Sequence, residues 1–313
     1  MLHHGCNRAS RPATLISFYF YYPPRVSCID IRNAWGHMQR FPIVVASLIV
    51  ATSAYAADIL QPIAEETVAT PHISGYGELY LGGLSFSDED DTFWAAGGAG
   101  RVNIPVAGRW NLQGDLTYDR VWDDSLYLDG IGTAIHGYYR DPDSFAAGAF
   151  ATYKSYGSGS NGPTMYDYTV GPEAQVYFGN LTLYGQAYYG KFHINTFRLD
   201  EWGVRGIARF FVQKNLRLDA ELIFDRTDLP FGNTVDIYGA AVQAMYRFDD
   251  TPWSVFGRYQ FERTKIDAFE DRDTQKFVIG LRASFGSMSL FDEDRNGATM
   301  DTYRPNTLIT FID

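Results

Sequence analysis

The chain has 313 residues, with 26 Lys and Arg against 37 Asp and Glu, for a formal net charge of −11. That balance argues against nucleic acid as a partner, since phosphate backbones are held by clustered cations. Tyr and Phe number 22 each, heavy usage for this length, and no aliphatic stripe at helical spacing accompanies them.

Residues 1–37 show no coherent period and include the run FYFYYPP, Phe18 to Pro24. They read as an upstream extension outside the functional protein. From Met38 to Ala56 the pattern changes to a basic start at Arg40, an apolar run from Phe41 to Ala51, and small residues at Ala54 and Ala56. This is the layout of a secretory signal peptide with an A-x-A cleavage site. The apolar run is too short for a spanning helix, so a mature chain that enters a membrane does so as strands. Cleavage after Ala56 would leave 257 residues with 21 basic against 36 acidic side chains. Both cysteines, Cys6 and Cys28, fall before that site, so the mature chain needs neither disulfides nor a cysteine metal site. Residues 57–71 form a short polar leader.

From His72 the apolar and polar residues alternate, and alternation with period two means β-strand. The spacing predicts strands over 72–84, 93–104, 109–121, 131–140, 145–154, 165–178, 180–194, 201–212, 216–226, 236–248, 252–263 and 274–285. The connections alternate in length. Short breaks at 105–108, 141–144, 179–180, 213–215 and 249–251 separate longer ones at 85–92, 122–130, 155–164, 195–200, 227–235 and 264–273. This rhythm fits an up-and-down barrel with short periplasmic turns and longer external loops, and does not fit a Greek-key sandwich.

The segment Glu201 to Asp225 carries the pattern most plainly. Trp202, Val204, Gly206, Ala208, Phe210 and Val212 form one face, and Gly203, Arg205, Ile207, Arg209 and Phe211 the other. After Gln213-Lys214-Asn215 the alternation resumes with Leu216, Leu218, Ala220 and Leu222. Matching faces puts Val212 opposite Leu216, Phe210 opposite Leu218 and Arg209 opposite Asp219. One face is apolar and suits lipid, and the other is ionic and suits a lumen. The fold expected is all-β: an antiparallel up-and-down transmembrane β-barrel of about twelve strands, within roughly ten to fourteen. Trp94 and Trp202 at one rim, and Trp110, Trp253, Phe178, Phe210 and Phe248 at the other, suggest two aromatic girdles.

The last strand, QKFVIGLRASF (Gln275 to Phe285), carries Gly280, alternating Phe277, Ile279 and Leu281, and a final aromatic Phe285. It resembles the terminal strand of bacterial outer-membrane β-barrels of the porin-like class, with Ala283 where that class often has an aromatic. The resemblance implies the outer membrane of a Gram-negative bacterium as location. It also implies outer-membrane lipid, lipopolysaccharide and the barrel-assembly machinery as partners. In that class the strand usually ends the chain, whereas here residues 286–313 follow as a tail, periplasmic or plugging the lumen.

The inward set holds Glu78, Arg101, Asp115, Asp119, Glu173, Arg205, Arg209, Arg217, Asp219, Glu221, Arg258, Glu262 and Arg282. Charges inside a barrel must pair or face water. Glu78, Arg101, Asp115, Asp119, Arg205, Arg209, Asp219, Glu221, Arg258 and Arg282 are therefore candidate pore-lining residues of a narrow passive pore for small hydrophilic solutes or ions, their mixed signs arguing against strong ion selectivity. The alternative is a structural or adhesive barrel sealed by salt bridges across the lumen. A barrel-borne lipid hydrolase or protease would have to centre on His193, near Asp200 and Glu201. His72 and His136 have no Ser or Asp partner at a diagnostic spacing, and no catalytic motif appears, so no enzymatic activity is expected. Asp292, Asp294, Asn296 and Gly297 mimic the opening of a calcium loop, but Tyr303 stands where the bidentate Glu belongs. They read as a solvated acidic turn, and neither metal nor other cofactor is expected. The acidic loops at 87–91 and 267–273 could hold divalent cations bridging to lipopolysaccharide, but read more simply as solvated tips.

Overall fold

A computed structural model describes residues 72–87, 92–124, 127–158, 165–266 and 271–306. The extension, signal peptide and leader read from the sequence lie outside these residues, as do the acidic loop tips at 88–91 and 267–270. The described chain forms twelve antiparallel strands: β1 (Ser74–Phe86), β2 (Thr92–Ala107), β3 (Trp110–Trp122), β4 (Tyr127–Asp141), β5 (Phe145–Gly157), β6 (Met165–Phe178), β7 (Leu181–Ile194), β8 (Phe197–Gln213), β9 (Leu216–Asp228), β10 (Thr234–Arg247), β11 (Trp253–Ile266) and β12 (Arg272–Phe285). A short helix, α1 (Leu290–Asn296), follows.

Each strand pairs with its sequence neighbours, and β1 pairs antiparallel with β12 to close the ring. Closure matters because a sheet edge in hydrocarbon would leave a row of unsatisfied N–H and C=O groups. Glu78 and Arg282 face each other across this seam, and Arg282 Nη2 lies 2.7 Å from Glu78 Oε2. The twelve strands fall where the alternation places them, but several run further into the long-loop side. The break expected over 195–200 is in fact a two-residue turn, Asn195–Thr196, because β8 begins at Phe197. Asn195 takes φ of 53°, a left-handed conformation that Asn tolerates better than most residues. At the short-turn rim, Gly108 and Gly179 take φ of 55° and 54°, where a side chain would be strained.

In the β8–β9 hairpin Arg209 lies opposite Asp219 and Phe210 opposite Leu218, as the face-matching requires. Val212 does not lie opposite Leu216. Gln213 takes that place, with the register shifting between Phe211 and Gln213. The extra residue is absorbed as a β-bulge, a device common at barrel rims because it sharpens the twist into the turn. Val106 forms the same kind of irregularity between β2 and β3.

The outer face is apolar. Leu79 is 72% exposed, Leu222 69% and Ile279 61%, and Trp202, Val204 and Leu218 on the hairpin are exposed as well. No second sheet covers them among the described residues, because all twelve strands belong to one closed sheet. So large an apolar surface marks an interaction with lipid. Aromatics collect at both rims. Trp110 packs edge-on to Tyr139 at 5.7 Å near the short turns, and Trp202 packs edge-on to Phe224 at 5.3 Å near the long loops.

Leu222 lies midway along β9 on the lipid face. Leu222→Arg is expected to cost about 2–4 kcal/mol of folding stability in a bilayer, as a cation does at mid-depth of a barrel. Denaturant titration of the protein refolded into lipid vesicles measures this. Wild-type stability in the variant would show that this face does not meet lipid.

Candidate functional site

Alternation sends every second side chain of each strand into the barrel, and the charged ones pair there. On the strands alone, Arg101 Nε meets Asp115 at 2.9 Å, Arg205 Nε meets Glu221 at 2.6 Å, and Arg258 Nη2 meets the other oxygen of Glu221 at 2.8 Å. Arg217 pairs with Asp219, two residues away on the same face, at 2.9 Å. His136 is fully buried between two carboxylates, with Nδ1 2.9 Å from Glu173 and Nε2 3.5 Å from Asp115. Such pairing is what a low-dielectric interior demands of charge.

The tail completes the network. Ser289 caps α1 by accepting from the Asp292 amide, and Asp292 accepts in return from the Met288 amide. The helix lies at the short-turn end of the lumen, where the Leu290 and Phe291 amides donate to Asn215 and Lys214 of the β8–β9 turn. Leu290 packs on Phe211, Met245, Phe256 and Val278, so the helix is anchored by apolar burial as well as by polar contacts. Glu293 takes Arg282 at 3.0 Å and Ser284, and Asp294 takes Arg209 at 3.0 Å and Thr182. The chain then runs through the lumen without regular secondary structure. Gln113 brackets Met300 by bonding both its backbone groups. Thr302 donates to Asp115, Tyr303 to Glu262, and Arg304 reaches Asp119 at 2.9 Å and Glu78 at 3.4 Å.

Asp301 holds the centre. Its carboxylate lies 3.2 Å from Arg209, 3.4 Å from Arg205 and 3.7 Å from Arg101, guanidiniums carried by β2 and β8. The space left beside it is a cavity of about 100 Å³, bordered by these arginines, Arg258 and Glu221. That is room for a few waters, well short of the hundreds of Å³ that a small-molecule site encloses. Towards the long loops the lumen changes character. Leu84, Phe86, Phe93, Leu128, Met165, Phe192 and Leu199 pack together there as a buried apolar layer.

Glu78, Arg101, Asp115, Asp119, Arg205, Arg209, Asp219, Glu221, Arg258 and Arg282 all face the lumen, and each has an ion-pair partner. The pairs are not always those that strand register suggests. Arg209 lies opposite Asp219 but takes both its carboxylates from the tail. His136 has acidic partners that no local spacing announces, on β3 and β6. His193 stacks on Tyr166 at 4.3 Å, and its Nε2 is buried without a hydrogen-bond partner among the described residues. The motif Asp292 to Gly297 is neither a calcium loop nor a solvated turn. It forms α1, and Asp292, Glu293 and Asp294 are all buried. No group of three or more acidic, His or Cys side chains among the described residues is arranged to hold a metal ion. The apolar layer was also readable, since Leu84 and Phe86 continue the inward phase of Glu78.

Burial of Asp301 opposes its ionisation, but Arg205, Arg101, Arg209 and Arg258 outweigh that and hold its carboxyl well below the ordinary range. Asp294 follows the same balance, burial being overcome by Arg209 and Arg295 and by the hydrogen bond from Thr182. A carboxylate depressed in the folded state stabilises fully above its unfolded value, about 3.9, and loses that contribution as pH falls below it. Docking of residues 297–306 is therefore expected to stay constant from pH 7 to about 4 and to weaken below. Hydrogen exchange at the Thr299–Thr302 amides, corrected for intrinsic rates, reads this directly. Loss of protection already between pH 7 and 5 would show that other groups set the docking.

No protein-family model matches the chain, and no curated protein matches it. Solved structures do. The COG4313 outer membrane channel from Pseudomonas putida F1 aligns over 72% of this chain and 100% of that one, at 12% identity and a TM-score of 0.50. The translocator domain of autotransporter NalP from Neisseria meningitidis aligns over 77% of this chain and 97% of that one, at 11% identity and 0.47. The KdgM porin aligns over 66% and 99%, at 12% identity and 0.39. At such identities the likeness is one of fold. With the closed ring and the apolar outer face, it gives the fold: a closed twelve-stranded antiparallel β-barrel of the kind seen in that outer-membrane channel.

Proposed function

We propose that the protein is a porin-like barrel whose narrow path for small hydrophilic solutes or ions is closed at rest by its own C-terminal tail. The observation that carries this reading is the seat of Asp301 among Arg101, Arg205 and Arg209. A lumen built only to be filled would be lined by close-packed apolar side chains, which stabilise at least as well as buried ion pairs. Here the middle of the lumen is polar, and the segment beyond α1 is held by many ion pairs and hydrogen bonds, contacts that water can replace when the segment moves, together with one apolar contact, Met300 against Tyr138, Tyr177, Tyr184 and Ile207. Export by a signal peptide and assembly into a Gram-negative outer membrane belong to the same reading, supported by Met38 to Ala56 and by β12.

The sealed structural barrel is the second reading, favoured by the pairing of every candidate lining charge. Catalysis is not part of the proposal. His193 meets aromatic rings and has Arg198 opposite on β8, and His136 is enclosed between carboxylates.

Single-channel recording in planar bilayers separates the two readings. The wild-type protein is expected to stay mostly silent, with rare salt-dependent steps. Arg209→Glu replaces the clamp on Asp294 and Asp301 with a third carboxylate, and is expected to raise the open fraction about tenfold or more, since a loss near 1.4 kcal/mol already shifts an equilibrium that far. Silence in a folded, heat-modifiable variant would favour the sealed barrel and overturn the pore.

A further inference from the structure

The charges around Asp301 do not balance without it. Arg101, Arg205, Arg209 and Arg258 bring four guanidiniums to one level of the lumen. Their other partners are Asp115, Glu221 and Asp294, three carboxylates, because Arg205 and Arg258 share Glu221. One positive charge is left over, and Asp301 cancels it. The geometry divides the work. Arg101 and Arg205 spend Nε on strand carboxylates and turn Nη atoms towards Asp301. Arg209 has no strand carboxylate within ion-pair distance and sends Nη1 to Asp294 and Nη2 to Asp301. Most of these groups are sealed: the side chains of Arg205 and Arg209 are 4% and 3% exposed and that of Asp294 is 0%, whereas that of Asp301 is 28% exposed. The guanidiniums are thus preorganised on rigid strands, and the group they surround is the most exposed of the cluster, ahead of Arg258 at 22%.

We propose that these arginines form a recognition site for a small organic carboxylate, and that Asp301 occupies it as a tethered competitor. The proposal rests on the pore reading only for how a solute reaches the site. It assigns the substrate class of that path: an acidic solute presenting a carboxylate to Arg209, Arg205 and Arg101 would take the place of Asp301 and so favour displacement of the tail. Charge-assisted hydrogen bonds to guanidinium are among the strongest available to a carboxylate. The mixed signs of the lining, read from the sequence as giving no strong preference, then conceal a local cationic surplus. Tethering explains why the site is filled without added ligand, since an attached competitor acts at high effective concentration.

The test uses the full chain refolded in detergent, with heat-modifiable mobility as proof of folding, and succinate as the probe. Asp301→Asn keeps the shape of the seat and removes its charge, and Asp301→Ala also removes the hydrogen-bond acceptor. Calorimetric titration is expected to give succinate affinity about tenfold or more higher in either variant than in the wild type, since a site freed of its competitor is no longer only fractionally available. Adding Arg209→Gln to Asp301→Ala is expected to abolish the gain. Equal affinity in variants and wild type would overturn the proposal, as would phosphate binding as tightly as succinate, because the seat would then attract any anion. Bilayer recording of the same Asp301→Ala protein keeps the two readings apart. Succinate binding without conductance would retain the site and sink the pore, and conductance without succinate binding would do the reverse.

Discussion

A strand in hydrocarbon has no water to satisfy its edge, and that constraint organises the molecule. It forces β1 onto β12, which closes the ring. Closure fixes which side of each strand meets lipid, and period two then dictates that every other residue faces inward. The Arg205 and Arg209 that would be intolerable outside β8 become neighbours of Glu221 and the tail inside it. The ionic lumen is thus the complement of the apolar exterior.

An ionic lumen must then solve its own problem, since a buried charge without a partner is far more costly than a buried pair is useful. The strands solve most of it among themselves. Glu78 and Arg282 do so across the seam, Arg101 and Asp115 across β2 and β3, and Arg217 and Asp219 along β9. What remains is positive charge around Arg209. The tail meets it with Asp294 and Asp301, adds Glu293 to Arg282 at the seam, and its Arg304 serves the carboxylates Glu78 and Asp119. The tail is therefore matched in charge to the wall it lies against, level by level.

Most of the barrel was legible in the sequence because its rule is local. The phase of Trp202, Val204 and Gly206 against Arg205 and Arg209 gives the faces, and matching faces across Gln213-Lys214-Asn215 gives the register to within one bulge. The strand ends were less legible. Beyond the bilayer nothing compels alternation, yet hydrogen bonding carries β8 back to Phe197. Within the lumen, only which charged residues face inward was legible. Which lumen charge meets which depends on contacts over long separations, such as Arg209 with Asp301 or Asp115 with Thr302, and no period encodes them. Segment 292–297 misled for a related reason. Its acids look solvated beside one another, and only the arginines of distant strands make their burial tolerable.

The two ends of the lumen differ in what lines them, and the difference bears on mechanism. Near the long loops Leu84, Phe93, Leu128 and Phe192 pack on one another by apolar contact. In the middle, residues 297–306 are held mainly by ion pairs and hydrogen bonds, with Met300 alone packed into an apolar cluster of the wall. An apolar layer gains nothing from a change of partner, whereas an ion pair can be exchanged for another of the same geometry at little net cost. On the proposed reading, a competing anion releases the tail from such contacts while α1, anchored through Leu290, stays seated at the short-turn end. An apolar anchor beside a segment held by ion pairs is consistent with partial movement and return.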